Sequence, residues 1–181
     1  MSRELLRRTA VLAIQSGEPG PIHQCIAGLD IALWDLAARR AGQPLWRMLG
    51  GHAPRVHVYA SGINPEYPER VAVACGAQGH IAFKLKVGFG RDRDLANVAA
   101  VRSALGDDVD LMVDANQAWS LETAIDMAEA LEPFYIGWLE EPLRVDRPWT
   151  EWQALRERTN VPLAAGENLA GDAAFDAALA A

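Results

Sequence analysis

Ile81-Ala82-Phe83-Lys84-Leu85-Lys86-Val87-Gly88, Val109-Asp110-Leu111-Met112-Val113-Asp114-Ala115-Asn116, Tyr135-Ile136-Gly137-Trp138-Leu139-Glu140-Glu141-Pro142 and Val161-Pro162-Leu163-Ala164-Ala165-Gly166-Glu167-Asn168 are four apolar runs, each ending in charged or polar residues. From Lys86 to Asp114, Glu140 and Glu167 the steps are 28, 26 and 27 residues. A strand, a helix and two short loops take about that many residues, so the period predicts repeated βα units.

The segments between these runs fit the same scheme. Helices are expected over about 68–78, 91–105, 121–131 and 149–159, with Gly79 and Gly106 as stops. Ser120 suits an N-cap because its hydroxyl can accept from a free helical amide. Arg55 to Ala60 alternates like a first strand, with Ser61 to Pro65 as the loop that leaves it, and an Ala-rich helix starts at Asp172. Five strands, each followed by a helix, imply a parallel sheet, and near-continuous apolar strands say it is buried on both faces. Polar residues at successive strand ends favour a partial (β/α)8 TIM-type barrel of about five βα units in this α/β chain, its chemistry gathered at the C-terminal rim.

Upstream, no strand is expected before residue 54. Residues 3–16 read as a helix, broken by Gly17-Glu18-Pro19-Gly20-Pro21. A second helix carries Ile22, Cys25, Ile26, Leu29, Leu33 and Leu36 at three- and four-residue spacing. It stops at Ala41-Gly42, and Pro44 opens a short helix over 45–49. The expected division is therefore a helical domain over 1–53 and a β/α domain over 54–181.

At 181 residues, half of them hydrophobic, the chain has enough apolar material for a buried core. A net charge of −7 with no basic stripe argues against a nucleic-acid surface. No segment approaches the ~18 apolar residues of a membrane span. The N-terminus lacks a secretory pattern, so no membrane association and a cytoplasmic location are expected. Cys25 and Cys75 are read as reduced core residues, since neither has a partner at metal-ligand spacing.

Lys84 and Lys86 are two apart on a strand, so they share a face. Adjacent ammonium groups lower each other's pKa, and a lysine tuned in this way can act as a general base near neutral pH. The alternative, a solvated lysine pair, is disfavoured by Ile81, Phe83, Leu85 and Val87, which mark an interior strand. Asp114, Glu140 and Glu167 offer only oxygens, a set that suits a hard cation such as Mg²⁺. Glu141 should point away from Glu140 and serve the strand–loop junction. Asn116 shares a face with Asp114, where it either bonds a substrate or stabilises its own turn. His23, His52, His57 and His80 all precede the lysine pair, and none ends a late strand; His57 is placed within the first strand.

Phe-Lys-Leu-Lys-Val-Gly at 83–88, Val-Asp-Ala-Asn-Gln-Ala-Trp at 113–119, Trp-Leu-Glu-Glu-Pro at 138–142 and Ala-Gly-Glu-Asn at 165–168 resemble the mandelate racemase/muconate lactonizing branch of the enolase superfamily. The stretches at 28–36 and 42–51 resemble the helical part of that family's capping domain. The resemblance implies a modified TIM barrel, one Mg²⁺ and abstraction of the proton α to a substrate carboxylate. Under it, Asp114, Glu140 and Glu167 match the metal ligands, Lys86 the base and Lys84 its partner near the carboxylate. Asn116 matches a frequent substrate contact, and Ser61 is a further candidate.

The resemblance also implies what lies outside this stretch: a three-stranded part of the capping domain and three more barrel units. The chain is accordingly expected to be a truncated form or a piece of a longer enzyme. The implied function is a Mg²⁺-dependent acid-sugar (aldonate or aldarate) dehydratase taking a small carboxylate substrate. A racemase or epimerase of a hydroxy acid is one alternative, and an inactive half-barrel acting as an oligomer or binding module is another. An open sheet edge after the fifth strand would require cover, so a homo-oligomer is expected.

Overall fold

The computed structural model describes residues 19–181 together with Arg8 and Val11. The helix expected over 3–16 falls outside the described residues, apart from those two, which are helical. The chain divides into two compact units, Met1–His57 and Val58–Ala181.

In the first unit, helix α1 spans Pro19–Arg40 and helix α2 spans Leu45–Met48. Helix α1 ends where Ala41-Gly42 is expected to stop it; Gly42 takes φ +64, a left-handed conformation that a side chain would strain. The apolar stripe of α1 is not buried, and Leu29, Leu33 and Leu36 are exposed. Cys25 on the same helix is exposed as well, which corrects its assignment to the core.

The second unit is a five-stranded parallel sheet in the order β1-β2-β3-β4-β5, with a helix after each strand. The strands are β1 Ala60–Ile63, β2 Ala82–Lys86, β3 Asp110–Asp114, β4 Ile136–Glu140 and β5 Leu163–Ala164. The helices are α3 Pro68–Gly76, α4 Arg91–Leu105, α5 Leu121–Leu131, α6 Trp149–Arg156 and α7 Asp172–Ala180. A 3₁₀ turn over Glu132–Phe134 joins α5 to β4. Each strand pairs with the next in sequence, as in successive units of a TIM-type barrel.

Two helices have the bounds expected from the sequence, α4 and α5. Ser120 caps α5, its hydroxyl accepting from the Thr123 N–H at 3.2 Å. The first strand differs. The alternating Arg55–Tyr59 segment does not pair; Val56 and Val58 are exposed, and so is His57. Pairing begins at Ala60, opposite Phe83, so Ser61 lies within β1 and not in the loop beyond it. Local alternation is only a half-buried pattern, and the partner strand decides which residues pair. The last strand is shorter than expected, which leaves Glu167 three residues beyond β5.

Phe83, Leu85, Val98, Val101, Leu111, Val113, Leu131 and Leu139 form the main core and are fully buried. Burying each such side chain contributes about 1.5–3 kcal/mol, and this layer fixes the strands against their helices. The opposite face of β2, β3 and β4 carries Lys84, Lys86, Asp114 and Glu140. Within β3, Leu111 to Asp114 are all buried, so both faces are covered.

Arg102 of α4 is buried and donates to the carbonyls of Gly106, Val109, Phe134 and Tyr135. It ties the end of α4, the start of β3 and the start of β4 together at the edge opposite the lysines.

Candidate active site

The pairing register brings the polar strand ends together. Lys86 lies opposite Asp114, and Asp114 lies opposite Glu140. Lys86 Nζ donates to Asp114 Oδ2 and to Asn116 Oδ1, each at 2.6 Å. Lys84 Nζ donates to Glu140 Oε1 at 2.7 Å and lies 3.2 Å from Asp114 Oδ2. Asn116 Nδ2 in turn donates to Glu167 Oε1 at 3.3 Å. Six of the seven sequence-predicted site residues are thereby joined in one network. Ser61 is the exception: it is exposed on β1, and no hydrogen bond links it to the network among the described residues.

Asp114 is 0% exposed and Lys84 only 6%, which excludes the solvated-lysine reading for Lys84. Burial disfavours the Lys84 ammonium, but hydrogen bonds to Glu140, Tyr59 and Asp114 outweigh it and hold the group above its ordinary range. Lys84 is thus raised where a neighbouring ammonium is expected to lower it, because it is hydrogen-bonded to carboxylates that favour its charged form. Burial also disfavours the Asp114 carboxylate, but the Lys86 ammonium, the Asn116 N–H and Lys84 hold its carboxyl below the usual value. The side chain of Lys86 is a quarter exposed and reaches the open rim.

Glu141, the next residue after Glu140, is completely buried. Burial pushes its carboxyl up, against the two hydrogen bonds that Asn168 Nδ2 donates to its oxygens at 3.0 and 2.8 Å. Glu141, Asn116 and Gln117 all take positive φ, at +42, +44 and +65. The backbone N–H of Gln117 bonds Glu141 O at 2.7 Å, so the two strained strand exits hold each other.

Residues absent from the sequence-derived site also belong to the network. Trp138 Nε1 donates to Glu140 Oε2 at 3.0 Å. Tyr59 stacks edge-on against Trp138, with centroids 5.6 Å apart, and its ring lies 5.2 Å from Lys84 Nζ. The Trp-x-Glu spacing on a strand was a legible signal for Trp138, since residues two apart share a face. Asp94, nearly fully buried at the start of α4, accepts from the N–H groups of Gly88 and Phe89 and so anchors the loop that leaves Lys86.

Among the described residues, no three of His, Cys, Asp or Glu converge closely enough to hold a metal ion. The donor set is nevertheless compatible with one. All its atoms are hard oxygens, and a single cation, the Lys84 ammonium, already bridges Asp114 and Glu140. Glu167 is exposed on the same rim and is connected to the other two through Asn116.

Residues 66–181 match the family described as Enolase C-terminal domain-like, and residues 3–50 match the mandelate racemase / muconate lactonizing enzyme N-terminal domain. The 3,6-anhydro-alpha-L-galactonate cycloisomerase of Streptomyces coelicolor is 42% identical, over 85% of this chain and 44% of its own. The L-talarate/galactarate dehydratase of Salmonella typhimurium is also 42% identical, over 84% of this chain and 40% of its own. A mandelate racemase/muconate lactonizing enzyme of Bordetella bronchiseptica superposes with a TM-score of 0.92 at 61% identity, covering 96% of this chain and 48% of that one. A racemase from Streptomyces coelicolor with bound magnesium gives 0.89 at 36% identity, covering 98% and 51%. The chain thus spans about half the length of the relatives it matches. Matched by both domain models over residues 3–50 and 66–181, this chain belongs to the mandelate racemase / muconate lactonizing enzyme family of the enolase superfamily.

Proposed function

We propose that this chain carries the metal- and base-bearing side of an enzyme that removes the proton α to a carboxylate, acting on an acid sugar and leading to its dehydration. The observation that carries this reading is the Lys84–Lys86–Asp114–Asn116–Glu140 network at the C-terminal ends of three adjacent parallel strands. Asp114, Glu140 and Glu167 would hold Mg²⁺. When bound, the ion supplies a fixed dication beside the carboxylate oxygens on which negative charge develops. Lys86 takes the α-proton at Nζ from the open rim. Lys84, held as an ammonium, stays charged and pairs with the substrate carboxylate. Asn116 orients Lys86 through its side-chain oxygen. Loss of the β-hydroxyl as water, with a proton equal to the one Lys86 has taken, would leave an enol that ketonises by protonation at the β-carbon to a 2-keto-3-deoxy acid.

Likeness to a talarate/galactarate dehydratase supports dehydration, while likeness to a racemase supports the alternative in which the proton is returned to the opposite face. Both share the first step. Incubating the chain with Mg²⁺ and a panel of aldonates and aldarates in D₂O tests that step by NMR. Deuterium should enter at the α-carbon, and Lys86→Met should abolish the exchange. Exchange unaffected by Lys86→Met would refute the proposal. An α-keto product separates dehydration from loss of optical rotation alone.

A further inference from the structure

Glu140 has two oxygens with different partners. Oε1 faces Lys84 Nζ at 2.7 Å, whereas Oε2 accepts the Trp138 indole N–H at 3.0 Å. An indole nitrogen donates only, and it is neutral, so a dication that displaces the Lys84 ammonium by charge has no such leverage on Trp138. The Trp138 ring is itself fixed. Tyr59 meets it edge-on at an interplanar angle of 77°. The pairing of β4 with β3 also slips by one residue between Leu111/Ile136 and Val113/Leu139, the kind of bulge that re-aims a side chain.

Resting on the reading of Glu140 as a metal ligand, we propose that Trp138 is a positioning residue that ties down Oε2, limits Glu140 to one-oxygen coordination and so favours Mg²⁺ over Ca²⁺. Mg²⁺ requires near-octahedral geometry at short distances, which a single fixed oxygen meets. Ca²⁺ accepts more ligands at longer range and gains from a carboxylate that can turn to offer both oxygens. Removing the N–H frees Glu140 to rotate and erases that distinction.

The test is calorimetric titration of the purified 181-residue chain with Mg²⁺ and separately with Ca²⁺, comparing wild type, Trp138→Phe and Glu140→Gln. Trp138→Phe should weaken Mg²⁺ by about 10–100-fold, the usual effect of losing a group that orients a metal ligand, and Ca²⁺ by much less. A general loosening of the fold would weaken both ions alike, so an unchanged Mg²⁺/Ca²⁺ ratio overturns the inference while leaving the metal site standing. A wild type that binds neither ion, or a Glu140→Gln chain that binds as wild type does, overturns the metal reading itself. If Trp138→Phe does not fold, the wild-type Trp138 indole N–H can be followed by NMR through the Mg²⁺ titration. A retained hydrogen-bonded resonance at saturation supports the proposal, and its release overturns it.

Discussion

Replacing Asp114 with asparagine removes one charge from a fully buried position and keeps the shape of the side chain. Oδ1 can still accept the Asn116 N–H, which it does now at 3.0 Å. What is lost is the charge that holds Lys86 at 2.6 Å and Lys84 at 3.2 Å. A hydrogen bond to a charged partner contributes about 1.5–3 kcal/mol, so two would set an upper bound near 6 kcal/mol. Each lysine keeps a second partner, Lys84 on Glu140 and Lys86 on Asn116, and the cost of burying the carboxylate disappears. The net loss should be about 2–3 kcal/mol, measured without divalent ions as a fall of about 1 M in the urea midpoint.

The pH dependence of that loss has a definite sign. The folded-state value of Asp114 lies below its ordinary 3.8, so the native state prefers the ionised form. The contribution is complete above the ordinary value and is lost as pH falls through the folded value, whereas asparagine does not titrate. The gap between wild type and Asp114→Asn should therefore be flat around neutrality and narrow progressively below about pH 5. A midpoint within about 0.2 M of wild type at pH 7, or a gap that widens on acidification, would refute the assignment of Asp114 as the charge that anchors both lysines.

Two further substitutions probe the frame that holds the site. Gly88 takes φ +98, and a Cβ there would fall 2.8 Å from Ala118 Cβ and 3.1 Å from Ala115 O. Gly88→Ala should cost about 2–3 kcal/mol and displace the loop after Lys86, seen as a lowered thermal midpoint together with altered Mg²⁺ binding. Arg102→Met leaves four carbonyls without their donor at the far end of the sheet and should cost about 3 kcal/mol in denaturant unfolding. It should leave Mg²⁺ affinity unchanged in the folded fraction, because Arg102 does not touch the lysine–carboxylate network.

Much of the frame was legible because it is local. The caps and stops of α4 and α5 are short-range chemistry, and both helices have the expected bounds. The steps between Lys86, Asp114, Glu140 and Glu167 reflect the length of a βα unit, which any such unit must obey. What failed was local pattern used to settle a non-local question. Arg55 to Ala60 alternates as a strand should, yet β1 starts at Ala60, because hydrogen bonding to β2 selects the paired residues. The apolar stripe around Cys25 suggested a buried face, but burial depends on what packs there.

The sequence by itself determined the βα order, the parallel sheet and the residue types at each strand end, since these follow from periodicity, turn chemistry and a side-chain period of two. Only the tertiary structure decided who holds whom: that Lys84 lies between Asp114 and Glu140, that Lys86 turns to Asn116, and that Trp138 takes the second oxygen of Glu140. Those pairings span register between strands and a one-residue slip in β4, and neither is encoded within a single strand. The Lys84-to-Glu167 stretch names the chemical groups; the sheet gives each of them its partner.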